Sequence, residues 1–535
     1  MTFLLGSYRV NPVSNACLWL AFGLVLACTN NGHVVGDVQD AGLGGPGSSG
    51  GGPGSGGGGP GSGGGGPGSG GQSTCPLPLP ASPLHRLTSF EYDNTIRELL
   101  GVTGQPSRFL RDTPAAPFTG REAKDKPTLL GVRSYRNAAR QIAESAIPND
   151  GAAAKLAGCA ELIEDCGNKF IRSFGERALR RPVRTEEAAG LLKLFTMGSS
   201  TRGLTGGVRL VVESVLQYPQ FLYRIEAAPP TDQTTVTPTS WEMASRLSYL
   251  IWGSMGDAPL FEAARSDNLK APEDIAAQAQ RMLDDDRARA QIADFHAHRY
   301  HYAGVETMDR DPKSYPAWQP AISQYFREES DLFTTQVVLD RNATFSDLWT
   351  AKFTSINDPL AALYGLPAPG GGPELRRIST DGIERGGLFT QGAFLMATTP
   401  GDRTYPKRRG YRVLTDVFCE DIDVPNDTQH ANLGLTSGGA PGVAMDDANP
   451  DCQKCHQRLN QLGQGFEHYD GLGRWRTEVD GSAVDASGEL PTGSADVHGA
   501  FSGVIALQSM ISTSQAASDC YARSWAAFAY GYDAY

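Results

Sequence analysis

Cys452-Gln453-Lys454-Cys455-His456 has the C-x-x-C-H spacing that attaches a c-type haem. The chemistry needs each member. Two thiols add to the two vinyl groups of a porphyrin, so the cysteines must stand about one helical turn apart. The neighbouring histidine then lies beneath the iron and supplies a nitrogen ligand. Cysteine and histidine are rare in this chain, nine of each. Other chemistry uses a bare C-x-x-C. A thioredoxin-like redox pair wants a strand-turn-helix setting that is not evident around residue 452. Half a zinc knuckle is a further option; His468 lies at a finger-like distance, but no partner follows it three to five residues on. A plain Cys452–Cys455 disulfide stays open.

A haem iron has a second axial face. Met445 and Met396 rank ahead of His468 and His498 for it, because thioethers suit electron-transfer haems, although a core methionine or a surface histidine is the ordinary role of such residues. His296, His298 and His301 form a second cluster. On a helix Asp294, His298 and His301 share a face and would make a metal set; an ordinary polar face beside Phe295, Tyr300 and Tyr302 is the plainer reading. Asp446, Asp447, Asp451, Asp480 and Asp485 lack EF-hand spacing and read as a solvated acidic loop. Arg403, Lys407, Arg408 and Arg409 could pair with haem propionates, a solvated or ion-paired surface being commoner. No G-x-S-x-G elbow and no H-E-x-x-H helix occurs.

The formal charge of −12 argues against nucleic-acid binding, which wants a basic face. Residues 1–28 read as an export signal: Arg9 near the start, an apolar run from Ala16 to Ala27 too short to span a bilayer, then Val25-Leu26-Ala27-Cys28, a lipobox-like end. Cys28 is then the lipidated residue that anchors the protein to a membrane, and Thr29 in place of an aspartate directs it to the outer membrane or cell surface. Residues 29–74 read as a tether, since Gly44 to Gly71 repeats Gly, Pro and Ser with no apolar side chain to bury. Nothing later is long and apolar enough to span a membrane. Export permits disulfides. Cys159 and Cys166 are close enough to bridge, and one pair among Cys75, Cys419 and Cys520 is plausible, with spacing unable to choose it.

The elements that must position these residues are mainly helical. Thr88 caps a helix that Gly101 ends; two helices between Lys169 and Phe195 part at Arg181-Pro182, the second with acidic Glu186 and Glu187 in its first turn. Val208–Tyr218, broken by Pro219, and Trp241–Trp252, Pro272–Asp286, Gln319–Val338 and Ser509–Tyr530 carry helical periodicity, while strand-like alternation is scarce. The fold class is therefore mainly α: a multi-domain helical body, divided at 82–226 and 240–367, then a loop-rich segment 374–476 with the C-x-x-C-H motif and a C-terminal helical part, 477–535. Pro367, Pro369 and Pro373 around Gly370–Gly372 mark a boundary.

Five stretches resemble a group of exported multi-domain proteins of planctomycetes and myxobacteria, built of planctomycete-type domains of unknown function with a cytochrome c-like segment. These are Arg86-Leu87-Thr88 with Tyr92 to Gly101; Phe174 to Pro182 with Tyr218 to Arg224; Ala244 to Trp252 with Asn357 to Ala361; Arg385 to Gly392 with Arg403 to Gly410; and Cys452 to His456 followed by Leu462-Gly463, Phe466-Glu467, Tyr469-Asp470 and Gly473 to Arg476. Where the family commonly has Met-Asp-Pro or Ile-Asp-Pro after the histidine, this chain has Leu459-Asn460-Gln461. Family members commonly continue beyond the point matching Tyr535, so the resemblance implies a shortened C-terminus in which Cys520 lacks its usual partner. The resemblance implies export, an α-rich body and haem attachment, and no substrate. The reading that follows is an envelope lipoprotein with covalent haem c and an electron-transfer role beside a redox partner protein. Its alternative is a non-catalytic surface binding or structural protein, for example for polysaccharide, with a C-x-x-C disulfide. A weaker third is a haem oxidoreductase with its own substrate pocket.

Overall fold

The computed structural model describes residues 85–108, 129–160, 164–226, 237–340, 342–399, 401, 403–422, 450–491 and 496–530. The expected signal and tether, with Cys28 and Cys75, and also Met445, Asp446 and Asp447, lie outside the described residues. Those described form eighteen α-helices and four two-stranded sheets, a mainly helical fold.

The first core is built by α1 (Ser89–Leu100), α2 (Leu129–Ala146), α3 (Asp150–Ala157), α4 (Glu164–Leu179), α5 (Thr185–Val215) and the short α6 (Pro219–Leu222). Tyr92, Ile96, Phe170, Leu191, Val208, Val212 and Phe221 meet inside it. The ends of α1 are as the sequence dictates. Thr88 Oγ1 accepts from Glu91 N at 3.2 Å while Glu91 Oε2 accepts from Thr88 N at 2.9 Å, and Gly101 takes the left-handed conformation that ends a helix. Two strands, β1 (His85–Arg86) and β2 (Tyr223–Arg224), pair antiparallel and close the unit. Arg180 stands between α4 and α5 with φ 57°, and its buried guanidinium donates to the carbonyls of Phe221 and Tyr223 and to the Tyr249 hydroxyl. The break anticipated at Arg181-Pro182 is thus also the point where this unit is tied to the next.

A small second core lies among α7 (Ser240–Trp252), α8 (Ala258–Arg265), α9 (Pro272–Leu283) and the start of α10 (Asp286–Arg299). The third core is the largest. It takes in the end of α10, then α11 (Ala321–Leu339), α12 (Asp347–Thr350), β3 (Phe353–Ile356), α13 (Asp358–Tyr364), α14 (Gly392–Ala397), α15 (Pro406–Val417), α16 (Pro450–Gln464), α17 (Gly503–Ile511) and α18 (Gln515–Tyr530). The Pro/Gly cluster at 367–373 lies inside this unit: β3 pairs with β4 (Arg376–Ser379), and Asp358 accepts from Gly370 N and Gly372 N at 2.8 and 2.9 Å, folding the cluster back as a hairpin loop. The single helix expected over Ser509–Tyr530 is two, because Ser514 Oγ accepts from Ala517 N at 3.1 Å and starts a new helix there. Three short strand pairs complete the fold: this one, β5 (Glu478–Val479) with β6 (Ser482–Ala483), and β7 (Ser487–Leu490) with β8 (Gly499–Ser502).

The last helix, α18, is held across α10. Phe295 stacks on Trp525 with centroids 3.6 Å apart. The fully buried His296 donates from Nδ1 to Ile292 O at 2.7 Å, since a carbonyl can only accept, and its Nε2 then accepts from the Tyr521 hydroxyl at 3.0 Å. Burial, with a smaller push from nearby Arg299, lowers its pKa to about 4. An unfolded histidine protonates near pH 6.5, so the native state gives up stability as pH falls from there toward 4. Wild-type protein should lose roughly 3 kcal/mol more than His296→Phe over that interval, read from denaturant midpoints at matched pH; parallel profiles would contradict a neutral buried imidazole.

Candidate functional site

The motif lies on α16. By helical geometry positions 452, 455, 456, 459 and 463 fall within about 100° of one another. Of these, Leu459 is buried and His456 is half-buried. The side chains of Cys452 and Cys455 lie outside the described residues. The helix meets α15, and the two backbones touch through glycines: a Cβ on Gly410 would lie 2.0 Å from Leu459 O, and one on Gly463 1.8 Å from Pro406 O. Pro406 opens α15 at its first turn, where a missing N–H costs nothing. The half-buried His456 is thereby brought beside α15, with Nδ1 3.2 Å from Lys407 Nζ. Nearby, Arg458 pairs with Glu420 just past the end of α15.

The residues after the motif form a clasp. The fully buried Arg409 donates to the carbonyls of Phe466, Tyr469 and Asp470 at 3.0–3.2 Å and to Thr399 Oγ1 at 3.1 Å. Burial, reinforced by Arg476 and opposed by Glu467, lowers its pKa to about 10. Glu467 Oε2 accepts from Thr404 Oγ1 at 2.6 Å and from Arg476 at 2.7 Å. Asp470 Oδ1 accepts from Leu472 N and Arg474 N, shaping the turn, and Arg385 donates to Gly473 O from the other side. Of the basic run, Arg409 is therefore a structural post, Lys407 stands by His456, and Arg403 is exposed.

The other candidates are dispersed. Met396 is fully buried on α14, a helix packed chiefly on α11. His468 stacks on Trp475 at 4.3 Å and bonds Arg476 O at 2.9 Å, while His498 is exposed. Asp485 accepts from Ser487 N at 2.9 Å in a local turn. The Asp294, His298, His301 set does not converge: His298 turns to Asp294 at 3.3 Å, and His301, in the left-handed conformation, turns to Asp416 at 3.4 Å. Among the described residues no three His, Cys, Asp or Glu side chains gather as a metal site.

One polar cluster has no counterpart in the sequence reading. Glu329, fully buried on α11, accepts from the Tyr364 hydroxyl at 2.6 Å and from Thr354 Oγ1 at 2.8 Å, and Arg385 lies over the Tyr364 ring at 3.6 Å. Burial raises the Glu329 pKa against the pull of Arg385. A glutamate inside an amphipathic run carries no sign of this; only Arg385, at the start of a stretch carrying the family resemblance, hinted at a role.

Four family models match the chain. PSD3, a protein of unknown function (DUF1587), covers residues 85–148, PSD5 (DUF1595) covers 166–226, PSD4 (DUF1592) covers 239–366, and PSCyt3 (DUF1588) covers 385–479. Together they span more than half of the chain. It belongs to the multi-domain proteins built of these planctomycete-type domains. The cytochrome-like PSCyt3 match holds α15, α16, the motif and the Arg409 clasp in one stretch. No curated protein and no solved structure matches significantly. The PSD4 match ends before the Pro/Gly loop, yet Glu329 in PSD4 and Arg385 in PSCyt3 share one buried cluster, so the two family segments meet in a single core.

Because the α15–α16 crossing is made of backbone, side chains there are not tolerated. Gly463→Val should cost about 2–3 kcal/mol in the unfolding transition of the large core, with Gly190→Val, where a Cβ meets nothing within 4 Å, as the control; equal midpoints for the two would refute the close crossing.

Proposed function

We propose that the PSCyt3 segment carries a covalent haem c, with Cys452 and Cys455 as thioether anchors and His456 as axial ligand, and that the protein transfers electrons in the cell envelope. The observation that carries this reading is the C-x-x-C-H spacing on α16, with the half-buried His456 brought beside α15 at a backbone crossing, within a match to a cytochrome-like family. The donor set suits the group: two sulfur positions one turn apart and an imidazole on the same face. Bound haem would supply one-electron chemistry, with its potential set by axial ligands, burial and neighbouring charge.

The residues present have definite tasks. Ligation through Nε2 of His456 leaves the ring proton on Nδ1, which then cannot accept from the Lys407 ammonium. With the group bound, Lys407 would have to leave this nitrogen, and its ammonium would be suited to pair with a carboxylate of the group. Gly410 and Gly463 hold α15 against the proximal helix, and Arg409 keeps the following turn rigid. Of the two methionines considered for a second ligand, Met396 is buried on α14 against α11 and Met445 lies outside the described residues. One further point supports an envelope location: the Cys159–Cys166 and Cys419–Cys520 disulfides fit an extracytoplasmic protein. No helix among the described residues is long and apolar enough to cross a membrane. Lipid on Cys28 would then provide the anchor, and a redox protein at the same membrane the electron partner.

Expressed with haem-maturation machinery, processed wild-type protein should give a pyridine haemochrome band that survives denaturation, diminished in Cys455→Ala and lost in the Cys452→Ala, Cys455→Ala double variant. Correctly processed but colourless protein would overturn the assignment; a thiol count showing Cys452 and Cys455 oxidised to each other would favour the structural alternative. Fatty-acid labelling should be lost in Cys28→Ser, and unchanged labelling would remove the proposed anchor.

A further inference from the structure

The Cys419–Cys520 bridge joins the segment just past α15 to α18 across 101 residues. Its two sulfurs stand in different surroundings. Cys520 is fully buried, whereas Cys419 is partly exposed. Beside them lies Arg299, at the end of α10 and 1% exposed. Its guanidinium is 2.9 Å from Cys520 Sγ and 3.7 Å from Cys419 Sγ, and its Nε has no hydrogen-bond partner among the described residues. A disulfide sulfur is a weak acceptor and leaves a buried cation poorly satisfied; a thiolate is a strong one. Asp416, whose carboxylate feels the charge of Arg299, is engaged also by His301 at 3.4 Å and Arg412 at 3.7 Å. Cys419 also sits at φ 54°, a left-handed conformation that costs a non-glycine residue.

We propose that Cys419–Cys520 is a reducible, polarised disulfide that undergoes exchange with a dithiol reductant, Cys419 being the sulfur attacked and Cys520 the leaving group. A thiolate of the reductant attacks the Sγ of the partly exposed Cys419. A mixed disulfide forms there as the Cys419–Cys520 bond breaks, and the electron pair leaves on Cys520, where Arg299 stabilises the thiolate. The second thiol of the reductant then resolves the mixed disulfide. The reductant departs as its own disulfide, having given two electrons; one of its protons ends on Cys419 and the other goes to solvent. Opening the bridge unties α18 from the end of α15, the helix that packs on the C-x-x-C-H helix.

The molecule contains its own control. In Cys159–Cys166 one cysteine is also partly exposed and the other buried, and no cationic group donates to either among the described residues. The full-length purified protein is treated with limiting dithiothreitol, quenched with an alkylating agent and mapped by peptide mass. Cys419–Cys520 should open about tenfold faster than Cys159–Cys166, because a better leaving thiolate departs faster. A monothiol probe such as glutathione should leave its adduct on Cys419 with Cys520 alkylated. Arg299→Met should abolish the rate advantage while the Cys159–Cys166 rate stays unchanged, and Arg299→Lys should keep part of it. Equal rates for the two bridges in wild type, or the adduct on Cys520, would overturn the proposal, and both readouts stand even if the Arg299 variants fail to fold.

Discussion

The arrangement of the C-terminal half depends on one contact, the crossing of two helices at Gly410 and Gly463. With Cβ positions 2.0 and 1.8 Å from opposing carbonyl oxygens, nothing larger than hydrogen fits, and α15 and α16 meet backbone to backbone. Such proximity lets a histidine near the start of α16 reach the first turn of α15 and lets Arg409 reach the carbonyls that end the α16 segment. Dispersion and shape hold the crossing, and the buried guanidinium, with four acceptors, gives it a unique register.

Three cores share the load unequally. The N-terminal one is closed by its own strand pair and joined to the rest through Arg180 and Tyr249. The small middle core leads through α10 into the large one, where PSD4 and PSCyt3 residues mix. A buried carboxylate in such a place is costly unless its oxygens are occupied, and Tyr364 and Thr354 occupy those of Glu329, with Arg385 supplying opposite charge. The chain's family segments are therefore units of sequence rather than of packing in this half of the molecule.

Two cysteine-bearing elements meet opposite ends of α15. One end lies by the C-x-x-C-H helix and the other by the bridge to α18, with a buried arginine on the second. The C-terminal helix is held both by that covalent link and by the Phe295, His296, Tyr521 and Trp525 cluster, so its attachment does not rest on the bridge alone.

The sequence by itself determined the helical class, the capped ends of α1, the break before α5 and the motif with its spacing, because each depends on local rules: periodicity, caps and covalent reach. It also narrowed the disulfides, making Cys159 and Cys166 an evident pair by proximity in sequence. Tertiary structure alone decided that Cys419 pairs with Cys520, so that Cys520 does not lack a partner; that the histidines at 296, 298 and 301 part company; that the Pro/Gly loop lies inside a hairpin; and that Glu329 and Arg385 meet. Those outcomes depend on residues tens to hundreds of positions apart being brought within a few ångströms, and on which of them lose water when they arrive. Neither quantity is written in spacing or composition.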